Sequence, residues 1–420
     1  MVARYHVADV NGSKVAGTIE DALDQVARHG AQVMLQKALE AEIDEFLQRP
    51  RYQRGGDFRG YRNGHGRERT VGIGTWAVPV QVPRVSDTPE GSVFESAVLP
   101  KRTRLSMETQ KLFARLYLEG LSSGDFEPVF RQLLGETAPL SPNTMLRIKE
   151  EWEAEYKAWR ERPLEHEHFI YVWADGIYLG AGLEKENSCL LTLLGARVDG
   201  SKELIAMELG YRESKASWSD VLRGLAERGL RAPVVLIGDG NLGIWGGQAE
   251  VWPETKRQRC WNHRLLNLVD KLPKRLQPEV TSRLYELYQS PTQKACENKR
   301  DDLVAWLQAQ RQEPAAQTLQ RDWDDFVTFY AFPQEHWIHL RTTNPLESVF
   351  AGVRLRTDVA KRARKRENAL YLVFKVVQRL GRNWRALNGG PSLMRMVAEG
   401  VVFKDGALLE SDQETEVRVA

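Results

Sequence analysis

Two apolar runs that each end on an aspartate constrain this chain more than any other feature. Phe169-Ile-Tyr-Val-Trp-Ala runs into Asp175, and Pro233-Val-Val-Leu-Ile-Gly runs into Asp239. Short continuous runs rich in β-branched and aromatic residues read as strands buried on both faces. Two more such runs lie between them, Ser188 to Gly195 and Glu203 to Leu209, joined through Asp199-Gly200, a tight-turn dipeptide. Ser217 to Gly229 reads as a helix, with Trp218, Val221, Leu222 and Leu225 on one face and Gly229 at its end.

The order is therefore three strands, a helix and a fourth strand. That is the order of a ribonuclease-H-like core, in which the first and fourth strands are neighbours and their two acids can share a metal ion. The expected fold class is α/β, with a ribonuclease-H-like mixed sheet core interrupted by an all-helical insertion. A mainly helical N-terminal DNA-binding region with a small β-hairpin precedes it.

At 420 residues the chain has room for two or three domains. No apolar run approaches the roughly 20 residues that span a bilayer, and the N-terminus has no apolar segment of a secretory signal. Cys189, Cys260 and Cys296 form no disulfide framework, which fits a reducing compartment. The expected location is cytoplasmic, with the nucleoid, and no membrane partner. The net charge of +2 hides a local imbalance: Arg341 to Arg385 holds 12 Lys/Arg against 3 Asp/Glu. Basic stripes on a near-neutral chain suit a polyanion bound at particular places.

Taken in order, residues 1–50 read as an N-terminal helical region, with one helix over 18–48 that Gly30 would break in two. Residues 51–160 read as a DNA-binding region. It opens with six arginines among Tyr52, Phe58, Tyr61 and several glycines between Arg51 and Arg69, a composition that can follow a nucleic-acid backbone or serve as a solvated linker. Val71 to Val85 reads as a hairpin or short sheet. Helices follow over Ser106–Leu118, Gly124–Leu134 and Ser141–Arg160, an arrangement compatible with a helix-turn-helix. The first part of the catalytic domain spans 165–245. From Asp239 onward the pattern turns helical, giving a helical insertion over 246–340. Residues 341–390 hold the last catalytic helix and a basic segment, with Asn344 as N-cap and Pro345 at the first helical position. Residues 391–420 read as a C-terminal tail, frayed and acidic beyond Gly400.

Three carboxylates are candidates for a two-metal site: Asp175, Asp239 and Glu347. Phosphodiester cleavage or transfer uses two divalent ions roughly 4 Å apart, and Mg2+ takes oxygen ligands. Duller readings exist: the two aspartates could sit in turns, and Glu347 could serve the helix dipole. Cys260 and His263 form a lone C-x-x-H without the second ligand pair of a structural zinc site, so they read as auxiliary residues that support the site or contact DNA. Arg259 and Arg264 beside them, and the run Arg354, Arg356, Lys361, Arg362, Arg364, Lys365 and Arg366 after the third acid, are candidate phosphate contacts.

The chain carries Asp175-Gly-Ile-Tyr, Gly210-Tyr-Arg-Glu-Ser with Ser217-Trp218, and Gly238-Asp-Gly-Asn-Leu-Gly-Ile-Trp. Gln258-Arg-Cys-Trp-Asn-His, Leu272-Pro-Lys and Thr342-Thr-Asn-Pro-Leu-Glu-Ser follow in that order. On these motifs the chain resembles the Mutator-like transposases of bacterial insertion sequences, over roughly residues 30 to 390. The resemblance implies an acidic triad of Asp175, Asp239 and Glu347 with the helical insertion in the 108 positions between the last two. It further implies two Mg2+ ions, with Mn2+ as substitute, and as substrate the terminal inverted repeats of a mobile element, cleaved and then joined to target DNA. Bringing two ends together calls for a homodimer or larger. The rival expectations are a ribonuclease-H-like nuclease without strand transfer and a DNA-binding protein that has lost its chemistry. Around Ser122 to Pro128 the family pattern is matched poorly.

Overall fold

In the computed structural model the described residues are 5–8, 14–17, 19–53, 57–119, 128–129, 131, 134, 143–178, 189–210, 212–240, 242–357 and 366–409. They divide into two units, Met1–Ile148 and Lys149–Ala420.

In the first unit, β1 (Tyr5–Ala8) and β2 (Lys14–Gly17) form an antiparallel pair, and α1 follows over Ile19–Leu47. The helix runs unbroken through Gly30, contrary to the expected break. A helical glycine costs about 1 kcal/mol against alanine, less than the helix gains by packing Leu35, Leu39, Ile43 and Leu47 inward. Four strands follow: β3 (Tyr61–His65), β4 (Arg69–Ile73), β5 (Trp76–Val80) and β6 (Pro83–Ser86). β4 and β5 are an antiparallel hairpin around Gly74-Thr75, and Gly74 takes φ +58, as the first position of a type II′ turn requires. β3 pairs with β6. Part of the arginine-rich stretch is thus a strand and not a linker: Arg62 is bound by Glu40 and Asp44, His65 by Glu40 at 2.6 Å, and Arg69 donates to the Leu99 carbonyl at 3.0 Å. The next helix is α2 (Met107–Leu118). The expected helix over 124–134, and with it the helix-turn-helix, lies almost wholly outside the described residues. α3 spans Asn143–Arg160.

The second unit is built on a mixed five-stranded sheet. β7 (Phe169–Tyr178), β8 (Cys189–Arg197) and β9 (Lys202–Gly210) form an antiparallel meander, turning at Asp199-Gly200 with Gly200 at φ +83. α4 (Lys215–Glu227) leads to β10 (Val235–Gly238), which lies parallel to β7, as the sequence order requires. α5 (Leu242–Val251) then leads to β11 (Lys256–Arg259), parallel to β10. The order across the sheet is β11-β10-β7-β8-β9. β11 corrects the reading that the chain is wholly helical after Asp239.

α4 and α5 cover one sheet face. Leu222 and Leu225 are fully buried there beside Trp218, Val172, Ala174 and Ile244, each leucine contributing about 1.5–3 kcal/mol of burial. The two helices approach closely because α5 carries glycines: a Cβ on Gly247 would come 3.0 Å from the Ser219 backbone nitrogen. On the opposite face, Tyr171 donates to or accepts from His336 Nδ1 at 2.9 Å, and Trp173 donates its ring N–H to the His339 carbonyl at 2.9 Å.

After β11 come α6 (Trp261–Val269), α7 (Gln277–Tyr288), α8 (Gln293–Ala309), α9 (Glu313–Gln320) and α10 (Asp324–Val327), then two 3-10 turns and α11 (Trp337–Leu340). The expected helical insertion is therefore broken into short pieces after Gln320. α12 (Asn344–Thr357), α13 (Arg366–Gly381) and α14 (Gly390–Ala398) follow, and β12 (Phe403–Lys404) pairs with β13 (Ala407–Leu408). The described part of the C-terminal segment is folded and not frayed: Phe403 is buried, and the Gly406 N–H donates to the Tyr330 carbonyl at 3.2 Å. Among the described residues no helix is long and apolar enough to cross a membrane.

Candidate active site

Side chains alternate along a strand, so Asp175 shares the sheet face of Tyr171 and Trp173, opposite Val172 and Ala174. Val235, Leu236 and Ile237 pair with Tyr171, Val172 and Trp173. The same offset continued two residues brings Asp239 opposite Asp175. The third parallel strand ends beside them: Arg259 pairs with Gly238, and the Cys260 N–H donates to the Gly238 carbonyl at 2.8 Å. Asp239 and Cys260 thus leave the same edge of β10 and β11, where sheets of this kind place their ligands, while Asp175 lies within β7 and still pairs with Thr192.

Glu347 arrives from α12. The expected cap is displaced by one residue: the Thr343 carbonyl accepts the Glu347 N–H at 3.0 Å, while the Asn344 side chain instead accepts from Asn262 Nδ2 at 2.8 Å. The segment before α12 is tied to the start of α6 by the Trp261 N–H on the Arg341 carbonyl, at 2.9 Å. Thr343 Oγ1 lies 2.8 Å from Glu347 Oε1 and 3.4 Å from Cys260 Sγ, and the Thr343 N–H reaches the same sulfur at 3.4 Å. These ties open a cleft of about 520 Å³ lined by Asp175, His263, Tyr285, Glu347, Phe350 and Arg354, among others. A second hollow of about 430 Å³, lined by Arg160, Glu208 and Asp220, holds none of the candidate acids.

Burial pushes the Asp175 carboxyl up to about 7, Asp239 and Glu213 pushing the same way, against the Gly176 N–H that donates to it at 2.8 Å. His263 is held protonated up to about 9, first by its hydrogen bond with Cys260 and then by the charges of Cys260, Asp239 and Asp175, against its burial. The Asp239 carbonyl accepts the Trp245 ring N–H at 2.9 Å, which fixes the turn after β10. Among the described residues, the group of three whose ligand atoms all lie within 4.8 Å of one another is Cys260, His263 and Glu347, not the three acids.

The basic candidates separate. Arg354 is exposed on α12 and lines the cleft. Arg356 lies on the same helix and Arg366 opens α13, but their side chains, and all of Lys361, Arg362, Arg364 and Lys365, lie outside the described residues. Arg259 and Arg264 are corrected: they are 5% and 3% exposed. Arg259 is paired with Asp322, and Arg264 stacks on Phe326 at 4.0 Å while donating to the Arg321 carbonyl at 2.8 Å. Arg259 ties β11, and Arg264 ties α6, to the segment Arg321–Phe326, and neither is on the surface.

Two residues escaped the sequence reading. Thr343 joins Cys260 to Glu347. Glu213 places Oε1 3.7 Å from Cys189 Sγ and where a Cβ on Gly176 would come within 2.4 Å of it. The signal for each was its place inside a quoted motif, Gly210-Tyr-Arg-Glu and Thr342-Thr-Asn-Pro.

The chain matches the family model described as "Transposase, Mutator family" over residues 5–386. It is 44% identical over 295 residues to the transposase for insertion sequence element IS6120 of Mycolicibacterium smegmatis, covering 70% of this chain and 91% of that protein. It is 38% identical over 289 residues to the transposase for insertion sequence element IST2 of Acidithiobacillus ferrooxidans, covering 67% of this chain and 97% of the relative. The transposase for insertion sequence element ISRM5 of Rhizobium meliloti (strain 1021) is 28% identical over 374 residues, 88% of this chain and 90% of that one.

Proposed function

The chain belongs to the Mutator family of transposases, and on that premise we propose that it binds the terminal inverted repeats of an insertion sequence, cleaves at their ends and joins the freed 3′ hydroxyl to target DNA. The proposed core is ribonuclease-H-like, with Asp175, Asp239 and Glu347 as its acidic triad. The observation that carries this reading is the register of β10 on β7, Val235 with Tyr171 to Ile237 with Trp173, whose offset continued two residues would bring Asp239, just past β10, opposite Asp175 within β7. The sheet order supports it too, since the first and fourth strands are neighbours and the fifth extends the parallel side.

The donor chemistry fits divalent metal. Asp175 and Glu347 line one cleft, and burial first, then Asp239 and Glu213, holds Asp175 up to about 7, a strain on its charged form that a cation relieves. Two Mg2+ ions, or Mn2+ in their place, would be held by Asp175, Asp239 and Glu347 and would supply activation of the attacking oxygen and stabilisation of the leaving one. The remaining work falls to the chain. Thr343 orients the Glu347 carboxylate through its 2.8 Å hydrogen bond. Arg354 on the rim offers a positive group to a phosphate entering the cleft. Phe350 and Leu266 line the cleft and restrict water. The partners in this reading are inverted-repeat and target DNA, read by the first unit, and a second copy that holds the other end. The location that follows is the cytoplasm, at the nucleoid.

The test is cleavage and joining of a labelled inverted-repeat end with Mg2+, wild type beside Asp239→Asn. Joined product from wild type alone supports the reading. Cleavage without joining turns it into a nuclease, and specific binding without cleavage in either protein turns it into a DNA-binding role.

A further inference from the structure

We propose that Cys260, His263 and Glu347 form a site for a thiophilic divalent ion, Zn2+ or Co2+, with one coordination position open to the cleft. Their ligand atoms, one sulfur, one imidazole nitrogen and one carboxylate oxygen, all lie within 4.8 Å of one another. A tetrahedral ion with bonds of about 2.0–2.3 Å needs its ligand atoms roughly 3.3–3.7 Å apart, so a contraction of about 1 Å closes the set. Three protein ligands with a fourth position left for water or substrate is the pattern of reactive zinc sites, while structural ones are closed by four.

Three further observations support a built site. Among the described residues His263 Nδ1 is buried with no partner at full hydrogen-bond geometry, which is unusual for a buried polar atom and suits a ligand. The supporting shell is in place: Thr343 donates its N–H to Cys260 Sγ, and its hydroxyl lies within hydrogen-bonding distance of Cys260 Sγ and Glu347 Oε1. One residue thereby orients two ligands, as outer-shell partners of metal sites do. The backbone is fixed as well. Cys260 is held by its N–H on the Gly238 carbonyl, and Glu347 by its N–H on Thr343. Sulfur and nitrogen donors select zinc and cobalt over Mg2+, which takes oxygen. The site therefore differs in chemistry from the three-carboxylate set. It shares Glu347 with that set, a clause that rests on the function proposed above.

The experiment is a Co2+ titration of the full-length protein without DNA, followed by absorbance. Expected is a near-ultraviolet thiolate-to-cobalt band with the visible bands of tetrahedral cobalt, bleached by one equivalent of Zn2+ and absent in Cys260→Ser. Co2+ affinity falls at least tenfold in His263→Ala and in Glu347→Gln. Far-ultraviolet circular dichroism checks that each variant is folded, and if Cys260→Ser is not, the other two carry the decision. No thiolate band in wild type overturns the proposal. A band that persists in Cys260→Ser assigns it to Cys189 or Cys296 and also overturns it, and unchanged affinity in Glu347→Gln removes the third ligand. Since no DNA is present, failure here leaves strand transfer untouched, and loss of strand transfer leaves this result untouched.

Discussion

Thr343 hydrogen-bonds Glu347 across the first turn of α12, Oγ1 to Oε1 at 2.8 Å, and the same threonine reaches Cys260 Sγ, 83 positions earlier in the chain. The third acid is therefore not held by its helix alone. Its carboxylate is aimed by a residue that is itself pinned to the end of β11.

Thr343→Val keeps the shape of this side chain and removes its hydroxyl. Outer-shell changes of this kind cost about 10–100-fold in metal affinity or activity. Strand cleavage is expected to fall by that amount with the thermal midpoint little changed, whereas Asp175→Asn and Asp239→Asn are expected to fall further. A Thr343→Val protein as active as wild type would remove the threonine from the site.

Arg264→Ala and Arg354→Ala are expected to fail in different ways. Arg264 is 3% exposed and stacks on Phe326, so its loss costs stability, about 2 kcal/mol from the lost hydrogen bond and ring contact. Arg354 is exposed on the cleft. Its loss leaves stability within about 0.5 kcal/mol and lowers the salt slope of DNA binding by about 1. Denaturant unfolding and binding at several salt concentrations separate the two.

Gly243→Ala and Gly224→Ala test the packing of α5 on the segment that leads into α4. A Cβ at Gly243 meets the Glu213 carbonyl oxygen at 2.2 Å, and backbone cannot step aside, while at Gly224 it meets nothing within 4 Å. Gly243→Ala is expected to destabilise by about 1–3 kcal/mol. Gly224→Ala, in a helix interior, is expected to stabilise by up to about 1 kcal/mol. Equal effects at the two positions would contradict the close approach.

Stability should fall with acid through His336. Burial holds this imidazole down to about 4, against 6.5 for the free group, so between those values the unfolded chain binds the proton that the folded chain refuses. The unfolded state then binds more protons, and stability drops as pH falls from about 6.5 towards 4 and levels off below. The loss between pH 7 and pH 5 is about 2 kcal/mol. Urea unfolding at both values should show it as the difference between wild type and His336→Gln, each referred to its own pH 7 stability, because Asp175, held up to about 7, contributes with the opposite sign in both proteins.

The sequence by itself determined the strands β7 to β10, the turn at Asp199-Gly200, and the positions of Asp175 and Asp239. Strands buried on both faces must be continuously apolar, so a polar residue at their end stands out. It did not determine β11, because Lys256-Arg-Gln-Arg259 satisfies burial with polar partners: Gln258 donates to the Phe326 carbonyl at 3.1 Å and accepts the Phe329 N–H at 2.8 Å. Nor could basic residues be sorted from a charge run into Arg354 at the cleft and Arg259 and Arg264 in the interior, since charge alone carries no burial. Only the tertiary structure decided that Glu347 meets Cys260 and His263 through Thr343. That meeting depends on parallel register, on the Trp261–Arg341 backbone bond and on the folding of the helical region between them. Such long-range contacts leave no periodicity in the chain from which to read them.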